Sequence, residues 1–218
     1  MKGEGRNPIV YRPEIFDVAD LASAKAIILT PELGTTTEER WKKETPYLVE
    51  QIGIYLQPNE NTCILDYGCG IGRLAKALIE TYSCWIVGVD ISAKMRQLAL
   101  GYVDSPRFSV CSPEALEMVI AKGFSVDHAI SIWVIQHCLR PQEDIARIKA
   151  AMKRGGLGYI VNSRFRVVPT DKGWANDGID VMEMLQREFV EVGQYALPEG
   201  ITTPQISQIA FVSVLKKS

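Results

Sequence analysis

The sequence has no long apolar run and no excess of basic charge. None of its apolar segments approaches the roughly 18–20 residues that a membrane-spanning helix needs, so we expect no membrane partner. Its 24 basic and 26 acidic residues give a net charge of -2, whereas a general nucleic-acid binder is more often basic. The first residues also lack the apolar stretch of a secretory signal. We therefore expect a cytoplasmic protein that does not bind nucleic acid.

Histidine and paired cysteine are scarce as well. The chain has 2 histidines, His128 and His137, and 5 cysteines, none of which are at the Cys-x-x-Cys spacing of zinc and redox motifs. An odd number of cysteines beside apolar residues is typical of buried, reduced thiols. We predict neither a metal site nor a disulfide framework. A chain of 218 residues can bury a full core without such cross-links.

What the sequence does have is an alternation of short apolar runs with helical patterns. The runs lack polar alternation, as strands buried on both faces do. They cover residues 63–65, 84–89, 108–110, 129–134 and 159–161. Between them, apolar residues recur at the i, i+3, i+4, i+7 spacing of amphipathic helices. This pattern predicts an α/β fold with a doubly wound, mostly parallel sheet.

The two ends of the chain depart from this alternation. Residues 191–197 and 208–217 are expected to form two strands joined by a loop over 198–207. Since no helix is expected between them, an antiparallel hairpin is favoured. Residues 45–56 look helical, and the residues before them are less regular. We therefore predict an N-terminal extension over 1–44 and one α/β domain over 45–218.

The sharpest motif is a glycine-rich turn directly after the first apolar run. Residues 66–74 are Asp-Tyr-Gly-Cys-Gly-Ile-Gly-Arg-Leu, so three alternate glycines lie between a buried strand and a helix. Glycine lets a ligand approach the backbone closely because no Cβ intervenes. The dinucleotide fingerprint Gly-x-Gly-x-x-Gly would need a small residue at position 73, where this chain has Arg73. A nicotinamide dehydrogenase is therefore disfavoured.

Two acids accompany the glycines. Asp66 lies just before Gly68, and a carboxylate there suits a ligand with an ammonium group better than a pyrophosphate. Asp90 ends the second apolar run, 20 residues beyond Gly70, where an acid can accept hydrogen bonds from both hydroxyls of a ribose. The alternative role for Asp90 is a helix cap ahead of Ser92.

With these residues the sequence resembles the class I S-adenosylmethionine-dependent methyltransferases, over about residues 45–218. The resemblance implies a seven-stranded sheet with an antiparallel last strand, covered by the N-terminal extension as a helical lid. It implies S-adenosylmethionine as cofactor and S-adenosylhomocysteine (SAH) as product. The residues that it assigns to the cofactor are Asp66, Gly68, Cys69, Gly70, Gly72, Asp90, Ile91, Ser112, Pro113, Ser131, Ile132 and Trp133. Ser112 either accepts a hydrogen bond from the adenine or only caps its helix.

The acceptor side is less defined. His137 follows the fourth strand and serves either as a general base or as an anchor for its loop. A dedicated base is optional, because alignment alone accelerates a direct methyl displacement. Arg164 and Arg166 follow the fifth strand and predict a carboxylate or phosphate on the acceptor, with a solvated loop as the alternative. By analogy, Tyr11 and Trp41 are lid residues that contact the substrate.

Together these observations predict a methyltransferase acting on an oxygen or nitrogen of a small metabolite, one with an anionic group if the arginines bind it. The fourth strand lacks the motifs of enzymes that methylate amide, adenine or cytosine groups, and no cluster of acids suggests magnesium. Two alternatives stay open, a non-catalytic cofactor-binding scaffold or regulatory protein, and a methyltransferase of a macromolecule. We expect a monomer or a homodimer.

Overall fold

Strands and helices alternate along most of the chain, as the apolar pattern predicts. The computed structural model describes residues 10–31 and 34–218. Within these ranges the strands are β1 Cys63–Tyr67, β2 Trp85–Val89, β3 Phe108–Cys111, β4 His128–Ile132, β5 Leu157–Ser163, β6 Val168–Thr170, β7 Gly173–Ala175, β8 Val190–Tyr195 and β9 Ala210–Lys216. The helices are α1 Leu21–Ile28, α2 Thr37–Leu56, α3 Arg73–Tyr82, α4 Ala93–Val103, α5 Pro113–Ile120, α6 Pro141–Ala151, α7 Val181–Glu188 and α8 Pro204–Ile209. Residues 1–9 of the predicted extension, and residues 32–33, lie outside the described part.

Seven strands form one sheet in the order β3-β2-β1-β4-β5-β9-β8. The pairs among β1 to β5 are all parallel, whereas β9 is antiparallel to both of its neighbours. The predicted α/β fold with a mostly parallel, seven-stranded sheet and an antiparallel last strand is therefore confirmed. The strand order reverses between β1 and β4, and ligands of such sheets bind beside the carboxyl ends at this reversal.

Helices cover both faces of the sheet and bury its apolar side chains. On one face, α2, α3 and α4 pack on a core that includes Leu48, Leu74 and Ile86. On the other face, α5, α6 and α7 pack on a second core that includes Leu116 and Ile148.

In the described ranges no helix combines the length and the apolarity needed to cross a bilayer. Nor do three His, Cys, Asp or Glu side chains of these ranges come together as metal ligands.

Three features of the structure differ from the sequence prediction. The connection between β8 and β9 contains α8, which is capped by the Thr203 hydroxyl and is too short to show a helical period. The helix predicted over 45–56 begins at Thr37, so the predicted boundary at 44/45 falls inside α2. The residues after β5 form the two-stranded hairpin β6–β7, which was not predicted.

The hairpin β6–β7 joins the N-terminal segment above the carboxyl ends of β4 and β5. Tyr11 forms an antiparallel bridge with Thr170, and the Arg12 amide donates to the Pro169 carbonyl at 2.9 Å. The 3-10 helix Pro13–Phe16 follows directly. We call residues 10–16 together with 168–175 the cap. It consists of two segments that are more than 150 residues apart in sequence.

Candidate functional site

The glycine turn after β1 has a backbone that only glycine adopts without strain. Gly68 and Gly70 have φ angles of 80° and 56°, in the left-handed region. The amide of Gly68 and that of the next residue both donate to the Val89 carbonyl, at 2.7 and 2.9 Å. A Cβ on Gly70 would also lie 2.7 Å from the Cδ1 of Ile28 in α1. The turn is therefore fixed both by its backbone angles and by the helix that packs on it.

Asp90 holds this turn from the end of β2. Its Oδ2 accepts a hydrogen bond from the Gly70 amide at 2.8 Å, and its Oδ1 accepts one from the Ser92 amide at 2.9 Å. Burial raises the pKa of Asp90, and these two backbone donors oppose that rise. Each carboxylate oxygen has a second lone pair, and the residue lines the cavity described below. Asp90 thus caps a turn and also keeps acceptor capacity toward a ligand.

Asp66 lies behind the turn and is only 4% exposed. Burial raises its pKa to about 7; the Arg73 guanidinium opposes this rise and the Asp90 carboxylate adds to it. Near neutral pH this carboxyl group therefore exchanges a proton readily. A positive charge bound in front of the turn would favour its ionised form.

One cavity of about 530 Å³ runs from the glycine turn to the cap, a size typical of sites for small ligands. Of the residues predicted to hold the cofactor, those that line it are Gly68, Gly70, Asp90, Ile91, Pro113, Ile132 and Trp133. They come from the carboxyl ends of four neighbouring strands, β3, β2, β1 and β4. The structure thus brings together residues that are up to 65 positions apart in the sequence.

Like Asp66, the other residues predicted to hold the cofactor lie behind this lining. Gly72 begins α3, where a Cβ would lie 2.4 Å from Val103, so packing explains this glycine. Cys69 is buried. The Ser112 hydroxyl accepts from the Ala115 amide at 3.3 Å, so it caps α5, and Pro113 beside it reaches the cavity. The Ser131 hydroxyl is buried inside β4 and has no hydrogen-bond partner among the residues that the structure describes.

Trp133 forms the cavity wall after β4 and is held by α2. Its φ of 63° is costly for a residue with a side chain. The indole Nε1 donates to Glu44 Oε2 at 3.3 Å, and Glu44 also accepts from Arg40 at 2.8 Å. Arg40 in turn donates to the Thr30 carbonyl at 2.8 Å and lines the cavity. A buried ion pair of the N-terminal extension therefore positions the wall.

Both nitrogens of His137 already have partners. A carbonyl only accepts, so the 2.6 Å contact with Val167 O places the imidazole proton on Nδ1. Gln136 uses its Oε1 to accept from the Ser163 amide at 2.6 Å, which leaves its Nε2 to donate to His137 Nε2 at 3.1 Å. Burial lowers the pKa of His137, so the ring is neutral at neutral pH. As a base it would first have to release Gln136.

The two arginines after β5 do not line the cavity, which corrects the prediction of an anion-binding pair. The Arg166 side chain is 0% exposed. Its guanidinium donates to both oxygens of Asp177 at 3.1 Å and to the Ile135 carbonyl at 2.9 Å. Arg164 is exposed and outside the lining. Arg166 therefore fastens the segment after β5 to the loop after β4.

The predicted lid residues separate in the structure. Tyr11 lines the cavity, and its hydroxyl lies 3.5 Å from the His137 carbonyl. Trp41 instead packs edge-on against Tyr102 with a centroid distance of 6.4 Å and is not part of the lining. Two aromatic residues of the cap, Phe16 and Trp174, also line the cavity, and they are not among the predicted site residues. The sequence feature that the two share is an aromatic side chain in a segment without a helical or strand period.

Comparisons with known proteins agree with this geometry. A family model described as a methyltransferase domain matches residues 65–160. The O-methyltransferase cnsE of Penicillium expansum is 24% identical over 164 residues, which are 69% of this chain and 59% of that protein. The chain thus matches less than two thirds of the length of this curated relative.

Solved structures share the fold at low identity. Magnesium protoporphyrin IX methyltransferase (ChlM) from Synechocystis PCC 6803, with bound SAH, superposes with a TM-score of 0.62 at 14% identity, covering 90% of this chain and 94% of that one. The [4+2]-cyclase SpnF superposes with a TM-score of 0.63 at 15% identity, covering 78% and 80%. The matched methyltransferase domain, the sheet order and the glycine turn all support the predicted resemblance to the class I S-adenosylmethionine-dependent methyltransferases.

Proposed function

We propose that the protein transfers the methyl group of S-adenosylmethionine to an oxygen or nitrogen atom of a small molecule, leaving SAH. The observation that carries this proposal is a continuous cavity that extends from the Gly70–Asp90 contact to the cap. One end offers a glycine turn and a buried carboxylate, and the other end is closed by side chains that the donor does not need. The similarity to an O-methyltransferase supports oxygen as the acceptor atom.

The residues present fit the cofactor. Gly68 and Gly70 line the cavity with backbone that the methionine part can contact, and the buried Asp66 behind them favours a positive charge in front. The remaining lone pairs of Asp90 accept from the ribose hydroxyls. Ile91 is 53% exposed beside Asp90 and offers an apolar face to the adenine. When bound, the cofactor supplies an electrophilic methyl group on a sulfonium.

The chain's own part in catalysis is alignment and exclusion of water. The direct displacement needs the acceptor atom, the methyl carbon and the sulfur in line, and holding them so supplies much of the acceleration. His137 is held neutral by Val167 and Gln136, so we assign it to orienting the loop after β4. The proton of the acceptor leaves to water. Without Arg164 and Arg166 in the lining, we do not retain an anionic group on the acceptor.

Calorimetry with SAH and with NAD tests the proposal. We expect SAH to bind and NAD not to bind. Asp90→Ala should weaken SAH binding about tenfold or more, because hydrogen bonds to a charged group contribute roughly 1.5–3 kcal/mol.

Asp127→Ala is the matched control. Asp127 also holds a backbone amide, that of Cys63 at 2.8 Å, but at the amino end of β4, away from the cavity. SAH affinity should be unchanged in this variant. Binding of NAD instead of SAH would contradict the proposal, and binding of SAH without methyl transfer to any of a panel of small molecules would favour the scaffold alternative.

A further inference from the structure

The end of the cavity beneath the cap is walled by aromatic rings. Tyr11, Phe16, His137 and Trp174 all line it. The His137 ring lies 5.4 Å from the Trp174 ring and 5.7 Å from the Phe16 ring, and the Phe16 and Trp174 rings are 6.3 Å apart, centroid to centroid. Their planes are tilted by 56–59° to one another, so the three rings are not stacked. Such surfaces favour another flat ring over a saturated one.

Every arginine that lines the cavity already has a carboxylate partner among the described residues. Burial raises the pKa of Tyr11 to about 12, and burial lowers the pKa of His137, so both stay neutral at neutral pH. Arg140 binds Glu143 at 3.2 Å, and Arg147 binds Asp144 at 2.8 Å. Behind the lining, Arg166 binds Asp177. An anionic acceptor would therefore lose its hydration without gaining a free positive charge.

We propose that the methyl acceptor is an uncharged aromatic hydroxyl compound whose ring lies among Tyr11, Phe16, His137 and Trp174. This assignment rests on the proposed function and narrows its substrate class. In the reaction, a lone pair of the acceptor oxygen forms the new O–CH₃ bond, and the S–CH₃ bond breaks with its electron pair kept by sulfur. The hydroxyl proton leaves to water, so the products are an uncharged methyl ether, SAH and one proton.

Binding to the SAH-loaded protein tests the assignment without requiring the natural acceptor. The probes are 2-naphthol, 2-naphthoate and decahydro-2-naphthol, which are an uncharged flat ring system, its anionic counterpart and its saturated counterpart. Calorimetry should show 2-naphthol binding at least about tenfold more tightly than 2-naphthoate, because the buried carboxylate has no partner. The saturated alcohol should bind about three- to tenfold more weakly than 2-naphthol, since it loses the ring contacts.

Trp174→Ala should weaken 2-naphthol binding about tenfold or more, because a large ring leaves the wall. Trp85→Ala is the matched control: Trp85 is 46% exposed and Trp174 is 47% exposed, but Trp85 lies at the amino end of β2 and outside the cavity lining. Both variants remove a half-exposed surface ring, so both are expected to fold, and SAH affinity should be unchanged in both.

The results separate this assignment from the function on which it rests. If SAH binds but 2-naphthol does not, the aromatic assignment is overturned while the proposed function stands. The same holds if 2-naphthoate or the saturated alcohol binds as tightly as 2-naphthol. Equal effects of Trp174→Ala and Trp85→Ala on 2-naphthol binding would also overturn it. If SAH itself does not bind, the proposed function falls and this assignment falls with it.

Discussion

At the scale of single residues, the two buried acids next to the glycine turn differ in their hydrogen-bond partners and in their pKa values. Asp90 accepts hydrogen bonds from two backbone amides, which stabilise its negative charge. It also lines the cavity, so its carboxylate can accept further hydrogen bonds from a ligand there. No described residue donates a hydrogen bond to Asp66, and burial raises its pKa to about 7. Ionised Asp66 therefore lowers the unfolding free energy, and a cation bound beside it would reduce this loss.

Asp66→Asn should stabilise the free protein above pH 7 and leave its stability nearly unchanged at pH 4. Between its unfolded pKa near 3.8 and its folded pKa of about 7, the folded state binds more protons than the unfolded state, so the unfolding free energy falls as pH rises. At roughly 1.4 kcal/mol per pKa unit, the full cost above pH 7 is on the order of 4 kcal/mol.

Urea unfolding of both proteins from pH 4 to pH 8 measures this difference. The gain of the Asn variant should grow through this window and then level off above pH 7. SAH affinity should fall in the same variant, because the neutral amide no longer favours a positive ligand. A stability difference that is constant with pH would show that Asp66 titrates normally.

The residues that the sequence could identify are those whose role is local. The glycine turn and Asp90 are readable because a turn after a buried strand has its own residue requirements. Arg166 was misassigned because its partner, Asp177, lies in an irregular segment that no periodicity describes. The ring of Trp174 was overlooked for the same reason, since its place depends on the pairing of β6 with the N-terminal segment.

At the scale of elements, α2 connects the N-terminal extension to the cavity wall. Thr36 and Glu39 form a capping box at the start of α2. This pair is a sequence signal for the true N-terminus of the helix, yet the apolar pattern predicts the helix only from residue 45. Its buried Arg40–Glu44 pair and the bond to Trp133 show that the helix is part of the domain. A predicted lid over the whole of 1–44 therefore describes the cap better than it describes α2.

Glu44→Ala should lower the unfolding free energy by about 3–5 kcal/mol, because it leaves the buried Arg40 without its partner charge. The control is Glu183→Ala in α7, where Arg187 and Glu183 form a pair of the same i,i+4 spacing with side chains 68% and 59% exposed. Exposed helical pairs contribute about 0.3–0.5 kcal/mol. Urea midpoints at equal slope measure both changes, and similar losses in the two variants would show that the buried pair does not fasten α2.

At the scale of the whole molecule, the sheet was predictable and the cap was not. Each strand and each helix of the alternation has a local period, and the reversal between β1 and β4 places the cavity at the carboxyl ends. The cap joins residues 10–16 to residues 168–175, and no local pattern reports a contact over that distance. The glycine turn and Asp90 thus follow from the sequence, whereas the end of the cavity beneath the cap emerges only from the tertiary structure.

A crystal structure of the protein with SAH bound tests the account most directly. We predict that the ribose hydroxyls lie on Asp90, that the amino-acid part lies in front of Gly68 and Gly70, and that the sulfur faces the rings of Phe16 and Trp174. SAH bound outside this cavity, or bound with its sulfur turned away from the cap, would contradict the account.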